Sequence, residues 1–97
     1  MTLNLSANNV TSCRALYFLD RVGRLDLRDN MISSLHDELV PMLNTMRMLT
    51  SLDLRGNPVQ KATKYREQVI MEGRSLQELD GKVVRDNDRR YLYALAN

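Results

Sequence analysis

Ninety-seven residues make at most one small domain. Hydrophobic residues are 43%, with four Tyr, one Phe and no Trp, so aliphatic side chains must carry the packing. A net charge of +2, from 14 Lys and Arg against 12 Asp and Glu, is too mild to argue for nucleic acid, and no run of about 18 apolar residues offers a transmembrane helix.

The chain opens on Leu3-Asn4-Leu5-Ser6-Ala7-Asn8-Asn9-Val10. It lacks the basic flank and apolar centre of a signal peptide. The same pattern, L-x-L-x-x-N-x-[VI], returns at Leu25-Asp26-Leu27-Arg28-Asp29-Asn30-Met31-Ile32 and at Leu52-Asp53-Leu54-Arg55-Gly56-Asn57-Pro58-Val59, after 22 and 27 residues. A degenerate fourth copy follows around Leu76 and Leu79, with Gly81 at its second leucine position and Val84 at its Asn position. A single match to such a short pattern is noise, whereas three in register define a repeat architecture.

Each Leu-x-Leu reads as a short strand whose leucines point inward and whose middle residue points out. Equal register predicts a parallel stack. Asn8, Asn30 and Asn57 sit where the chain leaves each strand, and there they are expected to bond backbone groups of the adjacent coil. Between strands, apolar residues recur every third or fourth position. They are Val10, Cys13, Leu16, Leu19 and Val22 in the first repeat, and Ile32, Leu35, Leu39, Leu43, Met46 and Leu49 in the second. The five extra residues of the second repeat predict a real helix, with Pro41 in its first turn. After Pro58 the style changes. Lys61 to Glu72 carries Tyr65, Val69 and Ile70 at helical spacing, with Gly73 as C-cap. Asp86 reads as an N-cap for a last helix, Asn87 to Ala96, with Tyr91, Leu92 and Leu95 on its apolar face. The stretch 61–97 is expected to close the stack with a polar cover.

The run Gly56-Asn57-Pro58-Val59, then Tyr65-Arg66 with Val69-Ile70, then Leu76, Leu79-Asp80-Gly81-Lys82 and Val84, resembles the C-terminal end of the 22-residue-type leucine-rich repeat proteins. That class includes regulatory subunits of protein phosphatase 1, the spliceosomal U2 A-prime protein and an axonemal dynein light chain. The chain looks most like the phosphatase regulatory subunits, on its long second repeat, Lys64-Tyr65-Arg66 and Ser75-Leu76. The resemblance implies an α/β fold, a right-handed solenoid with a short parallel sheet on the concave side, helices on the convex side and a helical C-terminal cap. It implies one domain over 1–97, with repeats 3–24, 25–51 and 52–78 and the cap at 61–97. Only three repeats are present, and no N-terminal cap precedes the first Leu-x-Leu, so a fragment or a covered first strand is expected. A bare edge at Thr2 to Leu5 is a ready site for self-association.

Three columns should face solvent on the concave side: Asn4, Asp26, Asp53 and Asp80; Ser6, Arg28, Arg55 and Lys82; and Thr2, Arg24, Ser51 and Glu78. An acidic stripe then runs beside a basic one. Either the charges pair internally and contribute little, or Arg24, Asp26, Arg28, Ser51, Asp53, Arg55, Glu78, Asp80 and Lys82 receive a partner protein. Cys13 fits a buried apolar position, and its being the only cysteine excludes an internal disulfide and points to a reducing compartment. His36 reads as a solvated residue at a helix start, and no second ligand completes a zinc site. Met42, Met46, Met48 and Met71 read as core filler. Tyr17 and Phe18 flank Leu16 and Leu19 and cannot both be inside. The mixed run Arg85 to Arg90 reads as a solvated helix start.

With one His, one Cys and no phosphate-binding loop, neither catalysis nor a cofactor is expected. The function expected is a protein-interaction module, a regulatory or scaffold subunit for a phosphatase or for a centrosomal or ciliary assembly. An RNA-processing scaffold like the U2 A-prime protein is the alternative. The resemblance implies a cytoplasmic setting, at the centrosome or cilium, with the nucleus left open. The concave face should meet a phosphatase or cytoskeletal protein, not a membrane or nucleic acid.

Overall fold

A computed structural model describes residues 1–96. Asn97, the last residue of the expected 61–97 cap, lies outside the described residues. Three strands follow the repeat pattern: β1 (Thr2–Asn4), β2 (Arg24–Asp26) and β3 (Ser51–Asp53). They pair parallel in the expected register, with Leu3 beside Leu25 and Leu25 beside Leu52. β4 (Glu78–Leu79) continues the parallel stack with Leu79 beside Leu52. β5 (Lys82–Val83) then turns back antiparallel to β4, which the repeat reading did not anticipate.

The reason lies in Asp80 and Gly81, which hold φ of 53° and 80°. Two consecutive left-handed residues make the tight hairpin turn whose twist suits paired strands. The chain therefore leaves the coil at the point where a fourth Leu-x-Leu would have completed it. Lys82 lies opposite Leu79 instead of one rung beyond Arg55.

The leucines of the inner coils are sealed. Leu25, Leu27, Leu52 and Leu54 are buried, as are Cys13, Leu16, Val22, Ile32, Leu35, Leu39, Leu43, Met46 and Leu49 on the returning segments. Burial pushes the Cys13 thiol up to about 12, with the Glu38 carboxylate adding to it, so the thiol stays protonated and unreactive. Val10 and Leu19 are only half-buried, since no coil stacks outside the first one among the described residues. Phe18 is 84% exposed while Tyr17 packs partly against the core. Of the four methionines expected inside, Met42 and Met46 are buried, Met71 is half-buried and Met48 is exposed in the loop before β3.

Returning segments are short helices whose type follows their length. The first is a 3-10 turn, Arg14–Phe18, in keeping with apolar residues three apart. The second starts as a π-helical turn, Leu35–Leu39, and continues as α1 (Val40–Thr45). Pro41 lies in the first turn of α1, as expected, and follows the π-helical turn. The wide turn before it absorbs the missing N–H, because Leu39 and Val40 donate five residues back to Ser34 and Leu35. Ser34 caps the start by accepting from the Asp37 N–H, and His36 is exposed in that first turn.

The C-terminal helices start differently from the sequence reading. A 3-10 turn covers Pro58–Lys61, and α2 begins only at Tyr65 (Tyr65–Glu72), because Lys64 is left-handed at φ 56°. Gly73 ends α2 without a positive φ. It is needed for space, since a Cβ there would stand 2.7 Å from Leu76 Cδ1. Helix α3 covers Asp86–Ala96, one residue earlier than expected, and Asp88 reaches back to the Arg85 N–H at 3.2 Å. Only Leu92 of its expected apolar face packs on the core; Tyr91 and Leu95 are exposed. Arg89 is not a solvated charge. Its guanidinium donates to the carbonyls of Ile70, Gly73 and Leu76, which satisfies the end of α2 and ties α3 to it. No helix of the described residues is long and apolar enough to cross a membrane.

Candidate functional site: the concave wall

The wall is built on two asparagines inside it. Asn30 Oδ1 accepts from the Asn8 and Val10 N–H groups of the first coil, both at 2.9 Å, while its Nδ2 donates to the carbonyls of Leu5 and Leu27. Asn57 repeats the device one coil on, accepting from Ile32 N at 3.1 Å and donating to Leu27 O at 2.7 Å and Leu54 O at 3.0 Å. Each amide therefore joins its own coil to the preceding one, as the repeat pattern requires. Asn8 departs from the expectation. Its side chain is exposed and donates only to Ser6 O, since no coil precedes it among the described residues.

Outward-facing side chains follow from strand alternation. In the middle column, Asn4, Asp26 and Asp53 each accept the backbone N–H two residues on, at 2.9, 3.0 and 3.1 Å. These turns close each strand end, so the column has a backbone duty as well as a charge. Arg28 and Arg55 then fold back on the same carboxylates. Arg28 Nε lies 3.0 Å from Asp26 Oδ1 and Nη2 lies 2.8 Å from Oδ2; Arg55 Nε lies 2.9 Å from Asp53 Oδ1. Both are two-pronged contacts, the geometry in which a guanidinium holds a carboxylate best. Arg28 Nε also approaches Asp53 Oδ2 at 3.8 Å, stitching one rung to the next. Internal pairing, one of the two arrangements the sequence left open, is thus the arrangement of the resting face. The arginine side chains stay 45% and 53% exposed, with carboxylates near 20% beneath them.

Asp80 and Lys82 do not extend this pattern. The Asp80 carboxylate turns into the fold, where it accepts from Leu54 N at 2.6 Å, Tyr65 Oη at 2.8 Å and Gln60 Nε2 at 3.2 Å. It takes the place of the strand carbonyl that receives the Leu27 N–H one coil earlier. Sequence reading missed Gln60 and Tyr65 as its partners; the Asp-Gly pair between two strand-like dipeptides was the available signal. Burial first, and then the Asp80 charge, push the Tyr65 phenol well above its usual range. Of the remaining predicted residues, Glu78 accepts from Ser51 Oγ at 3.3 Å. Arg24 and Lys82 are exposed and make no ion pair among the described residues.

Hydrogen bonds from Arg28 and Arg55 hold the Asp26 and Asp53 carboxyls below their ordinary range. A depressed acid stabilises the fold above its unfolded pKa and loses that contribution as pH falls through the folded one. The melting temperature should therefore be flat from about pH 7 to about pH 5 and fall below about pH 4. With Arg28→Gln and Arg55→Gln, carboxyl resonances of Asp26 and Asp53 should titrate at higher pH than in the parent chain. Unmoved resonances would mean that the two-pronged contacts do not persist in solution.

No family model matches the chain. It is 39% identical over 90 residues to mouse leucine-rich repeat-containing protein 36 (Mus musculus), a match covering 92% of this chain and 12% of that protein. It is 36% identical over 90 residues to the mouse centrosomal protein of 72 kDa, covering 92% and 14%. It is 36% identical over 87 residues to dynein axonemal assembly factor 11 of Trypanosoma brucei brucei, covering 90% and 22%. The chain thus spans under a quarter of the length of these relatives. Among solved structures, the Mex67 leucine-rich repeat domain of Chaetomium thermophilum superposes with a TM-score of 0.78 at 28% identity, covering 93% of this chain and 62% of that one. A chain of the Drosophila melanogaster SNF/U2A' complex superposes with a TM-score of 0.70 at 27% identity, covering 77% and 42%. Stacked Leu-x-Leu strands, buried asparagines and these relatives together make the chain a leucine-rich repeat protein with an α/β fold and a sheet that is mostly parallel. The solved neighbours occur in protein complexes, Mex67:Mtr2 and SNF/U2A', in keeping with a protein-interaction module.

Proposed function

We infer that this chain is a non-catalytic docking module that serves a centrosomal or ciliary assembly through its concave wall. The observation that carries the reading is the pair of rungs Asp26–Arg28 and Asp53–Arg55, held in register on an open face. Exposed ion pairs contribute little to folding, so a partner's carboxylates can take over the outer edges of Arg28 and Arg55 at small cost. Arg24, Ser51 and Glu78 border the rungs, and Lys82 stands at the turn beside them. The setting is supported by the centrosomal protein of 72 kDa and the axonemal assembly factor among the relatives. A phosphatase role rests on the sequence resemblance alone, and no relative named here is a phosphatase subunit. On the general rule for parallel crossovers the coil is right-handed. Residues 1–97 form one domain of repeats 3–24, 25–51 and 52–78 with the cap at 61–97. The superposition on the SNF/U2A' complex supports the second reading, an RNA-processing scaffold.

Arginines are the residues to change, because Asp26 and Asp53 also close their strand ends. Affinity purification from ciliated cells should recover centrosomal or axonemal proteins with the parent chain. Arg28→Gln with Arg55→Gln should lose them while the far-ultraviolet spectrum stays the same. Equal recovery by the variant would remove the concave wall as the site. Recovery of splicing proteins in place of axonemal ones would move the function to the second reading.

A further inference from the structure

We propose that a cleft between the C-terminal ends of α1 and α2 holds an acidic peptide segment of a partner protein through Arg47 and Arg74. None of the concave wall's charged rungs lines it, so it is a second docking surface. Arg47 follows α1 and Arg74 follows α2, each standing the same distance before its strand leucine, Leu52 and Leu79. The two therefore hold equal places in successive coils. Bonds between those coils fix the register: Ser75 Oγ donates to Leu49 O at 2.6 Å and the Gln77 N–H to Thr50 O at 2.7 Å. The cleft has a volume of about 430 Å³ and is lined by the two arginines with Asn44, Glu72, Ser75 and the buried Leu43. That volume lies in the range of small-ligand sites.

Charge decides the kind of occupant. On the concave wall each rung arginine is held by its own carboxylate, Arg28 by Asp26 and Arg55 by Asp53. Arg47 and Arg74 are exposed and make no ion pair among the described residues. Two guanidinium forks one coil apart, with their donors free of carboxylates, suit two carboxylates from outside. Alternate side chains of an extended segment share a face, about 6.6 Å apart. One segment crossing the coils can thus offer a carboxylate to each arginine. Glu72, half-buried in the same cleft, pairs with neither arginine, so its charge tempers the attraction without cancelling it. A nucleic acid fits less well, because the net charge of the chain is only +2. Basic residues at a helix end also favour its dipole, but that role is reported by stability and not by binding.

Fluorescence anisotropy of a labelled peptide alternating glutamate with serine tests the proposal. The parent chain should bind it, more weakly as salt rises. Arg47→Gln with Arg74→Gln should weaken binding by about tenfold. Glu72→Gln should tighten it by about threefold. Arg28→Gln with Arg55→Gln, on the concave wall, should weaken it far less, since those arginines already hold carboxylates. Circular dichroism of each variant checks folding independently. A parent chain that ignores the peptide would overturn the proposal. So would equal binding by the cleft variant, or a loss as large in the wall variant. Tighter binding of an oligouridylate of similar length would overturn it too, by assigning the arginines to nucleic acid.

Discussion

Replacing Asn57 by alanine should destabilise the fold by about 2–4 kcal/mol, whereas the same change at Asn30 should cost about 1–2 and at Asn8 under about 0.5. The three residues share one repeat position and one chemistry, so only their surroundings can set them apart. Asn57 is buried, and its removal leaves the buried Ile32 N–H with no acceptor and takes one donor from each of Leu27 O and Leu54 O. Leu27 O keeps the Asn30 amide, so the orphaned Ile32 N–H dominates the cost. Asn30 is also buried, but the Asn8 and Val10 N–H groups it holds lie on the outermost coil, where water can replace it. The Asn8 side chain bonds only Ser6 O among the described residues, from an exposed position. Urea unfolding measures the series. For a domain of this size, whose total stability is on the order of 5–15 kcal/mol, the Asn57 loss is a large fraction. Equal costs at all three positions would mean that the asparagines act through local turn geometry and not through the coil-to-coil bonds.

That gradient also marks how far the sequence could be read. Inside the stack, each coil sees the same environment above and below. Identical letters therefore do identical things, and the register of Leu3, Leu25, Leu52 and Leu79 followed directly from the 22- and 27-residue spacings. The three concave columns were legible for the same reason through Asp53 and Arg55. At the ends, periodicity carries no information about what replaces the missing neighbour. Asn8 is exposed because no coil precedes it among the described residues. Asp80 keeps its place in the column yet points inward, because the chain turns after it and Leu54 N needs another acceptor. A residue-counting rule extends the basic column to Lys82; the hairpin breaks that count.

Arg89 failed for a different reason. In sequence it lies in a mixed charge run on a polar helix start, and nothing local distinguishes it from Arg85 or Arg90. Its role depends on where α2 happens to end, with Ile70, Gly73 and Leu76 offering carbonyls that converge on one point. Such convergence arises from tertiary packing of two helices and leaves no periodic trace. One position had a visible mark whose meaning was not read. Ala7, Asp29 and Gly56 occupy the same place in successive coils, and all three are left-handed, with φ of 57°, 57° and 81°. A glycine at one copy of a repeated position is a hint that the backbone there needs positive φ.

The Asp80 site makes the second large prediction, because three groups converge on one carboxylate at the place where the parallel ladder stops. Asp80→Ala should cost about 2–4 kcal/mol, since it strands the N–H of the buried Leu54 and the hydroxyl of the buried Tyr65 together. Tyr65→Phe removes one partner and leaves the carboxylate its other two, so about 1 kcal/mol is expected. In the Asp80→Ala background the same Tyr65→Phe change should be nearly neutral, the hydroxyl having already lost its acceptor; the difference is the coupling read by a double-mutant cycle. Asp80→Asn separates charge from geometry. Asparagine tolerates the positive φ of 53° and can still accept from Leu54 N. It should fall between aspartate and alanine, with the hairpin intact. Amide hydrogen exchange at Leu54 gives a local reading: fast in Asp80→Ala, slow in Asp80→Asn. If Leu54 exchanged equally slowly in both, its N–H would have another acceptor, and the carboxylate would not be what ends the ladder.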